Sequence, residues 1–410
     1  MKTLQVIVLA VVLCVTSCRL AFGSENEIDN QSPLKLLRKK TVIEVCKDDG
    51  YVCEEHTAQT QDGYILTMHR IPPTNNEGQG IVFLQHGLLC SSMDWVVSGP
   101  GKSLAYLLAD KGYDVWLGNA RGNIYSRRHV SLDVKKGAFW QFSWHEIGIY
   151  DLPAMIDYSL NATGQKSLQY IGHSQGTTSF FVMASMREEY QEKVSFFQAL
   201  APAVFLSNSK SPLIRALAPF ANIAKFFFTL FGQYEFIANT QLLELAEQAM
   251  CKKNSPFLFL CKNILFLLSG YDSEQLDDDL LSKILENVPA GASVGQIVHY
   301  AQSVNSGQFR QFFHGPIKNK VLYGNIAPPE YKLENVKVPT VIHYSKNDWI
   351  SVIKDVEKLT QKLPNVVGDY LVPFPKFNHL DFIYAKDVKF LLYDKVIELV
   401  IENTENANKV

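Results

Sequence analysis

Ser174 lies in the sequence Gly172-His173-Ser174-Gln175-Gly176, between a short apolar run and a segment of helical composition. This strand–turn–helix context is typical of a nucleophile elbow, a sharp turn that exposes a serine hydroxyl. The two glycines leave room for the neighbouring strand and helix, where a Cβ would collide. The N-terminal amides of the helix would face negative charge that develops at an attacked carbonyl. The five-residue pattern also occurs by chance, but in this context it predicts a catalytic serine.

A serine nucleophile requires a base and a carboxylate that orients the base. His379 is the candidate base, and Asp348 is the candidate carboxylate. Proteins with this elbow place them in the order Ser, Asp or Glu, His, which Ser174, Asp348 and His379 follow. Each follows a predicted strand, and the carboxyl ends of parallel strands share one edge of a sheet. Asp348 alone could be a turn residue and His379 an ordinary loop histidine. Their order predicts a triad for acyl transfer.

Two backbone amides could hold the oxyanion that forms in such a reaction. Gln175 follows the nucleophile and supplies the first, and the loop after an early strand should supply the second. That loop reads His86-Gly87-Leu88, and we assign the second donor to the Leu88 N–H. The alternative is that this segment is an ordinary glycine-containing turn.

A sheet of mostly parallel strands is the element that must position these groups. Continuous apolar runs, typical of strands inside a parallel sheet, alternate with segments of helical composition. After a hairpin with an Asp62-Gly63 turn, strands are predicted over residues 80–85, 113–117, 168–173, 197–201, 339–344 and 369–373. The alternation predicts an α/β fold with helices on both faces of the sheet.

The strand–helix alternation stops after residue 202, which predicts a core of residues 45–202 and 326–405 with a helical cap or lid. We call residues 203–325 the cap insertion. It contains two very apolar stretches, residues 213–231 and 257–269. Each could be a buried helix, or could line an apolar pocket or meet a lipid surface. A transmembrane span is disfavoured because the second stretch is shorter than the roughly 20 residues required, and a proline and a lysine interrupt the first.

The first 23 residues have the pattern of a secretory signal peptide: a charged start, an apolar run and small residues at a cleavage site. Residues 24–44 read as a leader or propeptide. Glycosylation sequons begin at Asn30 and Asn161, and Asn161 is favoured because it is predicted to lie in a polar loop. We therefore expect a secreted protein, with delivery to lysosomes as the alternative.

Composition narrows the possible cofactors and partners. The chain of 410 residues has a net charge of −2, which gives no electrostatic reason to expect nucleic-acid binding. Of its seven cysteines, two leave with the signal peptide. Cys46 with Cys53 and Cys251 with Cys261 form close pairs that could be disulfides, and Cys90 is left over. No cysteine or histidine cluster has the spacing of a zinc site, so no metal and no cofactor are expected.

Five motifs together resemble the acid lipase family, which contains the gastric and lysosomal acid lipases and their secreted insect relatives. They read LQHGLLCSSMDWV, DVWLGNARGN, FWQFSWHEIGIYDLPAMIDY, YIGHSQGTT and FNHLDFIYAKDV. The resemblance extends from about Cys46 to about Leu392, and the motifs occur in the order of the family. The cap insertion, with GYDSEQLDDDLLSKIL and PAGASVGQIVHYAQ, is most similar to the insect branch.

The resemblance implies an α/β-hydrolase core with a cap and lid, and activity on neutral-lipid esters. It assigns the triad to Ser174, Asp348 and His379, and the oxyanion donors to Leu88 and Gln175. It also implies a cap disulfide between Cys251 and Cys261. The Cys46–Cys53 pair is less secure, since many relatives lack it.

These observations favour a secreted serine lipase that acts on triacylglycerols or sterol esters at a lipid–water interface. Two alternatives stay open at this point. One is a carboxylesterase for short-chain esters, with the same chemistry. The other is a catalytically inert lipid-binding protein on the same fold, which an intact triad argues against.

Overall fold

The computed structural model describes residues 39–75, 78–236, 251 and 255–408. The predicted signal peptide, the predicted leader as far as residue 38 and the sequon at Asn30 lie outside the described residues. A helix begins at Val42, with the Thr41 side chain accepting a hydrogen bond from the Glu44 N–H. Val42 and Cys46 are buried in the core. The end of the predicted leader, residues 42–44, is therefore part of a helix that packs on the core.

The described residues contain eleven strands, which are β1 (Glu54–Gln59), β2 (Tyr64–Ile71), β3 (Ile81–Gln85), β4 (Asp114–Gly118), β5 (Arg128–His129), β6 (Leu168–His173), β7 (Val194–Leu200), β8 (Glu235–Phe236), β9 (Ala292–Ser293), β10 (Thr340–Tyr344) and β11 (Val366–Leu371). Nine of them form the central sheet, in the order β1-β2-β4-β3-β6-β7-β10-β11 with β5 paired to β2, and β8 and β9 form a separate pair. Neighbours from β4 to β11 along this order are parallel, and the pairs made by β2 are antiparallel. The predicted mostly parallel sheet is confirmed.

Alternate residues of the central strands belong to two separate hydrophobic clusters, because successive side chains point to opposite faces of a sheet. In β3, Phe83 lies in one cluster, whereas Val82 and Leu84 lie in the other. Helices cover both faces, as predicted. They are Val42–Asp48, Leu104–Ala109, Leu152–Thr163, Gln175–Met186, Ile353–Lys362 and Asp394–Asn408. Shorter helical turns are Ser92–Trp95, Gly137–Trp140, Trp144–Glu146, Ile147–Asp151, Glu188–Lys193, Ala218–Phe220, Leu333–Asn335, Asp381–Tyr384 and Lys389–Tyr393.

Asn161 lies in the last turn of the helix Leu152–Thr163 and not in a loop, so the prediction for its surroundings was wrong. The helix ends at Gly164, whose φ of 70° is the left-handed conformation that commonly terminates helices. Asn and Thr are weak helix formers, which explains why the sequence suggested a loop. The Asn161 side chain is exposed, so it is accessible at this position.

The cap insertion is helical, as predicted, with a small β8–β9 pair. Its helices are Pro212–Leu217, Ala221–Leu230, Leu258–Ser269, Asp278–Asn287, Val294–Ser306 and Pro316–Tyr323. Within the described residues, the stretch Pro212–Leu230 is long and apolar enough to cross a membrane by length and composition, and 6% of it is buried. The stretch consists of two helices joined by the turn Ala218–Phe220. The alternative that this first stretch is a buried helix is therefore wrong.

Candidate active site

Ser174 occupies a strained turn between β6 and the helix Gln175–Met186. Its φ of 50° and ψ of −112° are unusual for a residue with a side chain. A Cβ on Gly172 would lie 2.8 Å from the Gly176 carbonyl carbon, and one on Gly176 would collide with the Gln85 carbonyl oxygen. Both glycines are therefore required by close backbone contacts. The turn leaves the Ser174 side chain partly exposed above the sheet.

The structure brings Ser174, His379 and Asp348 together in one hydrogen-bonded row. His379 Nε2 lies 2.9 Å from Ser174 Oγ, and His379 Nδ1 lies 2.7 Å from Asp348 Oδ2. A carboxylate can only accept, so Nδ1 carries the proton and Nε2 is left to accept from the serine hydroxyl. The predicted row can thus move a proton from serine to histidine.

Asp348 lies in the loop after β10, residues 345–352, which we call the acid loop. Its second oxygen, Oδ1, accepts from the backbone amides of Ile350 at 2.8 Å and Ser351 at 2.7 Å. The Asp348 side chain is completely buried. Hydrogen bonds to both oxygens fix the carboxylate in the orientation that faces His379.

His379 lies in the loop after β11, residues 372–380, which we call the histidine loop. The carbonyl of His379 accepts from His173 Nε2 at 3.1 Å, which connects this loop to the residue before the nucleophile. Burial lowers the pKa of His173 well below its usual value, so its ring is neutral. This contact positions the histidine loop against the elbow.

The loop after β3, residues 86–91, is the predicted oxyanion loop. His86 Nδ1 donates to the Gly87 carbonyl at 2.7 Å, and His86 Nε2 accepts from the Ala120 amide at 3.1 Å. A Cβ on Gly87 would lie 3.3 Å from Ser174 Cβ, so the loop passes very close to the elbow. Within the described residues, the Leu88 and Gln175 amides have no hydrogen-bond acceptor. Both predicted donors are therefore available to a ligand.

The Arg121 guanidinium is an organising group that the sequence analysis did not assign. It donates from Nε to Asp151 at 2.7 Å and from Nη1 to Asp62 at 2.6 Å. Arg121 is fully buried and also lies over the Tyr64 ring at 3.9 Å. The residue lies within the motif DVWLGNARGN, and a buried arginine paired with two carboxylates commonly fixes a loop. Here it fixes the chain that follows β4, beside the oxyanion loop.

The five cysteines outside the predicted signal peptide form two disulfides and leave one free thiol. Cys46–Cys53 and Cys251–Cys261 are both bridged, and Cys90 is free. Among the described residues, no group of three or more His, Cys, Asp or Glu side chains is arranged to hold a metal ion.

Two family models match the chain. A model described as alpha/beta hydrolase fold covers residues 80–386, and one described as partial alpha/beta-hydrolase lipase region covers residues 42–99. A soluble variant of monoglyceride lipase from Saccharomyces cerevisiae has a similar structure, with a TM-score of 0.51 and 16% identity over 93% of this chain and 99% of that one. At this identity, the structural likeness supports the fold alone.

Similar sequences extend over most of the chain. It is 48% identical to Lipase 3 of Drosophila melanogaster, over 86% of this chain and 90% of that protein. It is 38% identical to gastric triacylglycerol lipase of Homo sapiens, over 86% of this chain and 89% of that protein. The alpha/beta hydrolase fold model, which matches residues 80–386, spans the cap insertion and all three residues of the hydrogen-bonded row.

Proposed function

This chain belongs to the acid lipase family of α/β-hydrolase-fold enzymes and is a carboxylic ester hydrolase, and we propose that it cleaves triacylglycerols or sterol esters through Ser174, His379 and Asp348. The observation that carries the proposal is the continuous row of hydrogen bonds, 2.9 Å from serine to histidine and 2.7 Å from histidine to aspartate. Distances of this kind allow proton transfer without further rearrangement. The reaction proceeds through an acyl-enzyme.

Acylation begins when Ser174 Oγ attacks the ester carbonyl carbon. His379 Nε2 takes the hydroxyl proton as the bond forms, and Asp348 stabilises the resulting imidazolium through Nδ1–H. The tetrahedral intermediate collapses as His379 returns the proton to the leaving alcohol. A glycerol or sterol hydroxyl departs, and the acyl group stays on Ser174.

The carbonyl oxygen becomes negatively charged in the intermediate. The Leu88 and Gln175 amides, which have no acceptor within the described chain, would donate to it. Loss of one such donor typically costs about 3–4 kcal/mol of transition-state stabilisation. The helix that begins at Gln175 adds the positive end of its dipole at the same place.

Deacylation repeats the same steps with water. His379 takes a proton from water as its oxygen attacks the acyl carbon, and then returns the proton to Ser174 Oγ as the fatty acid leaves. Serine and histidine are restored, and no cofactor is consumed.

Preference for lipid aggregates is supported by the exposed apolar face of the cap insertion. On the helix Ala221–Leu230, Ile223, Phe226 and Leu230 are 59%, 64% and 63% exposed. Their spacing places them on one side of the helix. Such a cluster of large apolar side chains is expected to contact a lipid surface, because removing it from water is favourable. We therefore propose neutral lipid at a lipid–water interface as the substrate.

Secretion is the localisation that we propose, with lysosomes as the alternative. Two disulfides in the described residues are consistent with an oxidising compartment, since cytosolic proteins rarely keep such bonds. Expression in insect cells, followed by measurement of the enzyme in medium and in lysosomal fractions, distinguishes the two destinations.

The test of the proposed function is hydrolysis of a long-chain triacylglycerol emulsion, a sterol ester emulsion and a soluble short-chain ester. Wild type is expected to prefer one of the emulsions, and Ser174→Ala is expected to be inactive on all three while retaining its melting temperature. Hydrolysis of only the soluble ester would show an esterase for short chains. A wild-type chain that binds lipid without hydrolysing any ester would contradict the proposal.

A further inference from the structure

The segment Ser269–Gln275 of the cap insertion contacts both loops that carry the proposed base and carboxylate. The Ser269 carbonyl accepts from the Trp349 amide at 3.1 Å and from the His379 amide at 3.4 Å. One carbonyl therefore bridges the acid loop and the histidine loop. We call residues 269–275 the bridging segment.

Two asparagines extend this attachment. Asn378, next to His379, donates from Nδ2 to the Gly270 carbonyl at 3.0 Å. Asn347, next to Asp348, donates from Nδ2 to the Tyr271 carbonyl at 2.9 Å. Each residue before a proposed catalytic group is thus hydrogen-bonded to the backbone of the bridging segment.

A pair of buried aspartates lies at the same junction. Asp272 is 0% exposed, and its Oδ1 accepts from the amides of Glu274 at 2.9 Å and Gln275 at 3.2 Å. Asp381, which follows the histidine loop, is 5% exposed and accepts from the Asn378 amide at 2.7 Å. The two carboxyl groups lie within hydrogen-bonding reach of each other.

Asp272 Oδ2 is buried, and no donor within the described residues reaches it when both carboxyl groups are ionised. A buried acceptor without a partner is costly, and so are two carboxylates in contact. A single proton on Asp381 removes both costs, because the protonated carboxyl can donate to Asp272 Oδ2.

We propose that Asp272 and Asp381 share one proton, and that this hydrogen bond positions His379 by fastening the bridging segment to the histidine loop. The two aspartates are positioning residues, since neither touches the reacting atoms. The inference rests on the proposed function in assigning a reaction to His379. The shared proton itself is a property of the folded chain and can be measured without substrate.

The electrostatic surroundings agree with this assignment. Burial raises the pKa of Asp381 well above its usual value, the Asp272 carboxylate adds to the rise, and the Asn378 amide opposes it. Burial also raises the pKa of Asp272. The other charged groups facing the pair are Asp348, Glu274 and Lys376, the last two forming an ion pair with each other. The proton is therefore retained above the pH at which an ordinary aspartate loses it.

Loss of the shared proton at high pH is expected to reduce both the stability of the fold and kcat. The folded chain holds it to higher pH than the unfolded chain, so the stabilisation is complete below the ordinary aspartate pKa and declines as pH rises toward the raised value. Above that value the carboxylates repel, and the histidine loop is released from the bridging segment. We expect kcat to fall with rising pH, whereas KM changes little, because the pair does not touch substrate.

Asp381→Asn tests the proposal, because an amide reproduces the protonated carboxyl with a hydrogen that cannot dissociate. Its oxygen accepts from Asn378 and its NH₂ donates to Asp272. We expect the variant to retain its kcat on the acidic plateau and to exceed wild type by about tenfold or more at a pH one unit above the wild-type alkaline midpoint. Asp272→Asn should act similarly, with the donor on the other side. A matched control is Asp355→Asn, at a buried aspartate whose two carboxylate oxygens both accept from Asn208.

Melting temperature against pH, recorded without substrate, separates this inference from the proposed function. We expect the wild-type melting temperature to decline with rising pH more steeply than that of Asp381→Asn, with Asp355→Asn following wild type. If wild type and Asp381→Asn show the same pH dependence in both the melts and kcat, the shared proton is disproved. If no ester is hydrolysed but the melts differ as expected, the proposed function fails and the shared proton stands.

Discussion

Ala290 donates its backbone N–H to the Leu89 carbonyl at 2.6 Å, which connects the cap insertion to the oxyanion loop. Leu89 has a φ of 64°, a left-handed conformation that is uncommon for leucine and persists only where neighbouring groups hold it. With the Ser269 carbonyl on the acid and histidine loops, the cap insertion contacts all three loops that surround Ser174. It therefore contributes to the geometry of the site as well as covering it.

Asp348→Asn should lower kcat by about a thousandfold or more with little change in melting temperature. The new amide can keep its oxygen toward the Ile350 and Ser351 amides, which places its NH₂ against His379 Nδ1. The imidazole must then carry its proton on Nε2, where it cannot accept from Ser174. Steady-state hydrolysis of a soluble ester measures the loss. A decrease of less than about tenfold would contradict the assigned role of Asp348.

Gly270→Ala should impair catalysis from a position outside the triad. Gly270 has a φ of 117°, and a Cβ there would collide with the Asn347 carbonyl oxygen, so the acid loop would have to move. Displacement of a catalytic group by about 1 Å can cost 10- to 100-fold in rate, which is the expected loss in kcat. Gly324→Ala is the matched control, since Gly324 is also left-handed, with a φ of 71°, but has no atom within 4 Å of its added Cβ. Equal kcat values for the two variants would argue against the bridging role.

Ile223→Ser combined with Phe226→Ser should reduce activity on a triacylglycerol emulsion and leave hydrolysis of a soluble ester within about twofold of wild type. Both side chains are more than half exposed, so the core loses little packing. Each lost apolar contact weakens adsorption to the lipid surface. Val130→Ser, at an exposed valine outside the cap insertion, is the control and should leave both activities unchanged. Parallel losses on both substrates would indicate that this face does not bind lipid.

His343 should make the chain less stable in acid. Burial lowers its pKa to about 3, whereas the unfolded chain takes up the proton at its ordinary value of 6.5. Between these values the unfolded chain binds more protons, so the free energy of unfolding falls as pH falls, by up to about 1.4 kcal/mol per pH unit. Urea titrations at pH 7 and pH 5 should show a decline in His343→Gln that is about 2 kcal/mol smaller than in wild type. The same decline in both would contradict the prediction.

Much of the fold follows from short-range patterns in the sequence. Continuous apolar runs predicted the central strands, which depends only on local composition. The order of Ser174, Asp348 and His379 indicated residues that the structure places in contact, because the carboxyl ends of parallel strands share one edge of the sheet. The same reasoning located the hairpin at Gly63, where a φ of 95° suits glycine.

Other features depend on contacts between residues far apart in the chain. The Asp272–Asp381 pair joins positions more than one hundred residues apart, and nothing in either local sequence distinguishes these aspartates from ordinary capping residues. The exposure of the apolar helix Ala221–Leu230 was one of two alternatives that the sequence left open, because composition does not reveal which faces lack a partner. Asn161 was misplaced because helix propensity is weak compared with tertiary packing.

The attachment of the bridging segment limits how this cap can be exchanged between related enzymes. A graft that replaces the whole of residues 203–325 would also replace the Ser269 carbonyl and the Ala290 amide. The hydrogen bonds of these two groups to the acid, histidine and oxyanion loops would then depend on the grafted sequence. A graft that ends before Ser269 would transfer the exposed apolar helices and leave those bonds in place. Substrate range can therefore be altered separately from the catalytic geometry when the boundary of the exchange lies between residues 268 and 269.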